Sequence, residues 1–138
     1  MLEFNLFLID YWYFSVPLSF FIFLFAYSEM NKGGKKIEPN ELTRLVNKES
    51  AILIDLRKKE DYENGHIMNA LNYPHQEFDN QMHELEKFKD RPIILVCDMG
   101  RNSANIGEKL KKAEFEKTFR LNGGMMTWTQ ENLPVIQK

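Results

Sequence analysis

The sequence is poor in cysteine: Cys97 is the one thiol in 138 residues. A lone cysteine excludes an internal disulfide and a cysteine-based zinc cluster. Histidine is scarce as well, and His66, His75 and His83 lack the paired spacing of metal ligands. No metal and no organic cofactor is expected. Lys and Arg are absent from positions 1 to 30, where Glu3, Asp10 and Glu29 are the only charges. Positions 31 to 138 then carry 18 basic and 17 acidic residues, close to neutrality. Such a balance excludes the dense basic footprint of a nucleic-acid binder. Neither an internal repeat nor a low-complexity tract is found.

What the first 30 residues do have is apolar length. Tyr11 to Tyr27 runs for 17 residues without a charge. About 20 apolar helical residues cross a hydrocarbon core of roughly 30 Å, so the run suffices if Asp10 lies near an interface. Tyr11 and Trp12 at one end and Tyr27 at the other suit the interfacial belts, and Pro17 is a tolerated kink. A cleaved signal peptide would need a positive segment before the apolar run and a small-residue cleavage site after it, and neither is present. Residues 1–30 are therefore read as a single-pass anchor. Lys32, Lys35 and Lys36 follow the run, which places the C-terminal part in the cytoplasm and the anchor in the inner (cytoplasmic) membrane. Residues 31–36, with Gly33-Gly34, read as a short flexible linker.

From Ile37 the pattern alternates. Pro39-Asn40-Glu41-Leu42 opens a helix with Leu42, Leu45 and Val46 on one face. Ala51–Leu56 and Pro92–Cys97 read as buried strands, Asn69–Tyr73 and Thr118–Leu121 as weaker ones. Phe78–Phe88, Ser103–Ala113 and Met125–Asn132 read as helices, the last stopped by Pro134. Strands alternating with helices predict an α/β fold with a mostly parallel sheet covered on both faces.

The chemistry-bearing stretch is Cys97-Asp98-Met99-Gly100-Arg101-Asn102-Ser103, which leaves a buried strand and enters a helix. Ligands of open α/β sheets bind outside the carboxyl ends of strands. A loop turning there aims main-chain N–H groups inward and makes an anion cradle, in which a sulfur is held as thiolate. Gly100 lets the loop turn tightly.

This stretch resembles the active-site loop of single-domain rhodaneses, in which the cysteine leads a short loop with a glycine three residues on. Asp55-Leu56-Arg57 followed by Asp61-Tyr62-Glu63-Asn64-Gly65-His66-Ile67 and Ala70-Leu71-Asn72 resembles the family's upstream signature. Leu121-Asn122-Gly123-Gly124-Met125-Met126-Thr127-Trp128 resembles its C-terminal one. The resemblance implies a rhodanese-like domain over residues 37–138, with a mostly parallel five-stranded sheet, behind an N-terminal transmembrane helix. It also implies sulfur transfer: Cys97 takes the outer sulfur of thiosulfate or a similar donor as a persulfide and passes it to cyanide or to a thiol or protein acceptor. Asp98, Met99, Gly100, Arg101, Asn102 and Ser103 would form the substrate cradle. Asp55, Arg57, His66, Gly123, Gly124 and Trp128 would support it.

The sequence departs from that pattern in two places. Family members often carry a basic residue directly after the cysteine and an arginine five after it, where this chain has Asp98 and Asn102. Asp98 disfavours a neighbouring thiolate, and weak thiosulfate turnover is expected. Arg101 is open to two roles, anion binding or loop capping, and Arg57 either braces the loop or reaches the pocket mouth. The run Lys109, Lys111, Lys112 is read as a solvated helix face. A tethered, non-catalytic binding module is the alternative function. A phosphatase ranks last, because Ser103 stands where its anion-clamping arginine would be.

Overall fold

The computed structural model describes residues 1–137, which fall into two separate compact units, residues 1–31 and the residues from 32 onward. The first unit is helical. Helix α1 (Leu2–Asp10) and helix α2 (Trp12–Met30) meet at Tyr11, whose backbone (φ −113°, ψ 37°) is not helical. The charge-free run expected to span, Tyr11–Tyr27, lies in α2 apart from Tyr11 itself, with the shorter α1 ahead of it. Pro17 lies inside α2, and neither helix buries a side chain within the unit. The 19 residues of α2 are long and apolar enough to cross a membrane.

The second unit is a five-stranded, wholly parallel sheet. Its strands are β1 (Lys35–Ile37), β2 (Ile52–Asp55), β3 (Leu71–Asn72), β4 (Ile93–Val96) and β5 (Thr118–Leu121), in the order β1-β5-β4-β2-β3. Its helices are α3 (Pro39–Glu49), α4 (Lys59–Asn64), α5 (Phe78–Gln81), α6 (Arg101–Lys112) and α7 (Gly124–Gln130). The period of two along β4 builds both halves of the core. Ile94 and Val96 face one cluster, with Leu42 and Leu45 of α3 and Met125 and Trp128 of α7. Ile93 and Leu95 face the other, with Phe78 of α5 and Ile106 and Leu110 of α6. Each such side chain, fully buried, contributes about 1.5–3 kcal/mol of transfer free energy.

Local sequence sets the helix ends. Pro39 occupies the first turn of α3, where its missing N–H costs nothing, and Ser50 closes the helix in the left-handed region at φ 54°. The single helix expected over Phe78–Phe88 is instead a short α5 followed by a 3-10 helix from Met82 to Phe88. The tighter repeat still buries Phe78 and Leu85. Helix α4 was not anticipated: Lys58 to Asn64 is polar all round and has no apolar stripe to announce it.

The expected linker needs a larger correction. Lys35 and Lys36 are strand residues in register with Phe119 and Arg120. Gly33 and Gly34 are buried. A Cβ on Gly33 would stand 2.3 Å from the Ala104 carbonyl oxygen, and one on Gly107 of α6 would stand 1.8 Å from the Gly33 carbonyl oxygen. The glycine pair therefore provides close approach of two backbones rather than flexibility. The Gly33 N–H also donates to Glu108 at 2.6 Å.

Candidate active site

The strand order reverses between β2 and β4, which is where an open parallel sheet leaves a crevice at its carboxyl edge. Asp55 ends β2 and Cys97 directly follows β4, and Asp55 is in register with Val96. Three residues then carry the chain into α6, whose first residue is Arg101, two earlier than the sequence pattern suggests. Gly100 makes the turn at φ 86°, in the left-handed region.

That turn brings the Gly100 N–H back to Cys97, where it donates to Sγ at 2.9 Å. Among the described residues it is the one hydrogen-bond donor to the sulfur, so the expected ring of amides is here a single contact. Ser103 is buried, and its hydroxyl donates to the Gly100 carbonyl at 2.8 Å, fixing the turn rather than touching sulfur. Cys97 is 3% exposed and belongs to the apolar cluster that holds Leu56, Leu95 and Ile106. Asp98, Met99, Arg101 and Asn102 are exposed on the rim.

The C-terminal glycine pair docks on the same loop. Gly123 and Gly124 take φ 74° and 61°. The Met125 N–H then donates to the Cys97 carbonyl at 2.8 Å and the Met126 N–H to the Asp98 carbonyl at 3.0 Å. A Cβ on Gly124 would stand 2.1 Å from the Cys97 carbonyl oxygen, so only glycine permits this approach. Trp128 packs in the core, and its indole N–H donates to the Pro134 carbonyl at 2.9 Å.

On the β2 side, Asp55 and Arg57 form a buried pair. Arg57 Nη2 lies 2.8 Å from Asp55 Oδ2, Nε lies 3.0 Å from Oδ1, and the Arg57 main-chain N–H also reaches Oδ1. Arg57 Nη2 further donates to the Gly65 carbonyl at 2.6 Å. Burial opposes the Arg57 charge, but Asp55, with Asp98 and Asp61 behind it, raises its pKa overall. Arg57, Asp61, Asn64, Gly65 and Asp98 line a shallow groove of about 280 Å³ beside Met125. Asp98 thus adds to the negative field around Arg57. His66 stacks on Tyr62 with ring centroids 3.7 Å apart, and its Nδ1 lies 2.7 Å from the Tyr62 carbonyl oxygen. This arrangement braces a turn. Among the described residues no group of His, Cys, Asp and Glu is placed to hold a metal ion.

One residue near the site was not anticipated. Arg120 of β5 is 4% exposed and lies on the Cys97 face of the sheet, next to Leu95 in register. Burial lowers its pKa, against the attraction of Cys97 and Glu108. An arginine within the short strand Thr118–Leu121 was the available signal, since a parallel strand buried on both faces has no place for an idle charge.

The fold and this loop define a class. The rhodanese-like domain family matches residues 38–131, and the chain belongs to that family. It is 40% identical over 104 residues to the uncharacterized protein YibN of Escherichia coli, covering 75% of this chain and 73% of that one. It is 28% identical over 98 residues to the thiosulfate sulfurtransferase GlpE of Shewanella oneidensis, covering 71% of this chain and 95% of the relative. The crystal structure of a rhodanese-related protein from Thermoplasma volcanium superposes with a TM-score of 0.68 at 24% identity, over 75% of this chain and 99% of that one.

Proposed function

We propose that this protein is a membrane-anchored sulfurtransferase or persulfide carrier in which Cys97 is the sulfur-bearing nucleophile. The observation that carries the reading is the 2.9 Å hydrogen bond from the Gly100 N–H to Cys97 Sγ, at the junction of β4 and α6. A main-chain donor at that place can stabilise negative charge on the sulfur as it is transferred. The Cys97 thiolate attacks the outer sulfur of thiosulfate or a similar donor. The donor's S–S bond breaks, sulfite leaves with the bonding pair, and a Cys97 persulfide remains. A thiolate or cyanide acceptor then attacks that outer sulfur, and the Cys97 thiolate is restored. The exposed rim residues Asp98, Met99, Arg101 and Asn102 bound the space into which donor and acceptor come. The bonded frame of Asp55 and Arg57 and the contact of Gly124 with the Cys97 carbonyl hold the loop. In this reading helix α2 is the anchor, and the positive-inside rule, applied to the lysines that follow it, puts the second unit on the cytoplasmic side.

A non-catalytic binding module is the second reading. The observation favouring it is that Cys97 is 3% exposed and belongs to an apolar cluster, which restricts a donor's approach to the sulfur. One measurement separates the two. The full chain in a non-ionic detergent is treated with thiosulfate and weighed intact beside Cys97→Ser. Sulfur transfer predicts a gain of about 32 Da, one sulfur atom, in the wild type alone. No gain with thiosulfate, polysulfide or a low-molecular-weight persulfide leaves the binding module.

A further inference from the structure

Behind the Cys97 loop, on the side away from Arg57, the second unit has a partly open cavity of about 150 Å³. Its lining includes Lys36, Arg120, Ser103 and Asn122, with main chain of Gly100 and Gly123 and no acidic residue. Lys36 and Arg120 are directly opposite one another in the β1–β5 register, so their side chains leave the sheet on the same face. Like charges in that relation repel. Arg120 is nevertheless 4% exposed. Its Nε donates to the Gly34 carbonyl at 3.2 Å, but neither terminal nitrogen donates to any described residue. Two carboxylates lie nearby, each accepting from a neutral donor that leaves its charge in place. Glu108, which attracts Arg120, accepts the Gly33 N–H at 2.6 Å, and Glu38 accepts the Asn122 amide at 2.8 Å. Two cations thus face one partly open pocket whose lining holds no carboxylate, with Glu108 attracting Arg120 from outside that lining.

We propose that this cavity is a binding site for one small divalent oxyanion, of the sulfate, sulfite or phosphate class, held between Arg120 and Lys36. The guanidinium fork suits a tetrahedral or pyramidal oxyanion, and the lysine supplies the second charge. The site lies against Gly100 and Gly123, the two left-handed turns that set the Cys97 loop, so an occupant braces that loop from the rear. The inference is independent of sulfur transfer, because it concerns binding and does not require Cys97.

The test uses the full chain carrying Cys97→Ser, in a non-ionic detergent, titrated calorimetrically with sodium sulfate, sulfite, thiosulfate or phosphate. Ionic strength is held constant with sodium chloride. Saturable binding at one site is expected, weakened at least about tenfold by Lys36→Met and by Arg120→Met, and partly kept by Arg120→Lys. Preference for the sulfur oxyanions or for phosphate assigns the ligand's chemistry. Lys36 is exposed on an edge strand, so Lys36→Met tests the site even if Arg120→Met does not fold. Two results overturn the proposal: no saturable binding up to about 10 mM of any of these anions, or binding that Lys36→Met leaves unchanged. A Cys97 that takes no sulfur would leave it standing.

Discussion

Replacing Gly124 with alanine tests whether the C-terminal glycine pair is what seats the candidate loop. Gly124 sits at φ 61°, where an L-residue costs about 1–2 kcal/mol. The new Cβ would also stand 2.1 Å from the Cys97 carbonyl oxygen and 2.8 Å from that of Asp98, both main-chain atoms that cannot rotate away. Relief requires α7 to lift from the loop. That movement breaks the hydrogen bonds from Met125 to Cys97 and from Met126 to Asp98, each contributing about 1 kcal/mol net. The total is about 3–4 kcal/mol. Gly123→Ala is the internal control. Its φ is 74°, but its Cβ would meet chiefly the Thr127 hydroxyl, a side-chain atom that can turn aside, so about 1–2 kcal/mol is expected. The difference of about 2 kcal/mol corresponds to roughly 8–16 °C in Tm for a unit of this size. Thermal melts of the full chain in non-ionic detergent, followed by circular dichroism, give the comparison. If Gly124→Ala melts within about 3 °C of Gly123→Ala, the close contact with the Cys97 carbonyl does not govern the loop.

Three further outcomes are expected. Asp55→Ala strands the Arg57 guanidinium, whose side chain is 9% exposed, and should destabilise by about 3–5 kcal/mol in a urea titration, with Asp55→Asn less severe. Gly107→Ala would place a Cβ 1.8 Å from the Gly33 carbonyl oxygen, so it should detach the β1 edge and speed amide hydrogen exchange at Lys35–Ile37 while leaving exchange at β4 slow. Trp128→Phe keeps the ring in the core but loses the N–H bond to the Pro134 carbonyl, which should cost about 1 kcal/mol by denaturant midpoint.

The sequence made the parallel sheet legible because its central strands are short apolar runs. Ile93 to Val96 is buried on both faces, and the runs alternate with helical stripes such as Leu42-Leu45-Val46. The place of Cys97 was legible for the same reason, since it follows the most apolar strand and precedes a glycine. What could not be read was contact between distant residues. Gly33-Gly34 looks like a linker until α6 is packed against it, and nothing local distinguishes flexibility from close approach. Lys36 and Arg120 lie far apart in the chain, and their juxtaposition depends on β1 pairing with β5 rather than with β2. The number of donors reaching Sγ was likewise hidden, because it depends on the turn at Gly100 and not on residue types alone.

The pairing of the first strand with the last has a consequence for how the protein is made. Gly34 accepts its hydrogen bond from an arginine 86 positions downstream. At about 5–20 residues per second, roughly 4–17 s of synthesis separate the two. For that interval the first strand has no neighbour in the nascent chain, and this edge of the sheet can close only after Leu121 has been made. Chains cut short before Thr118 would leave this edge open and prone to self-association, a fate visible as aggregation of ribosome-released fragments.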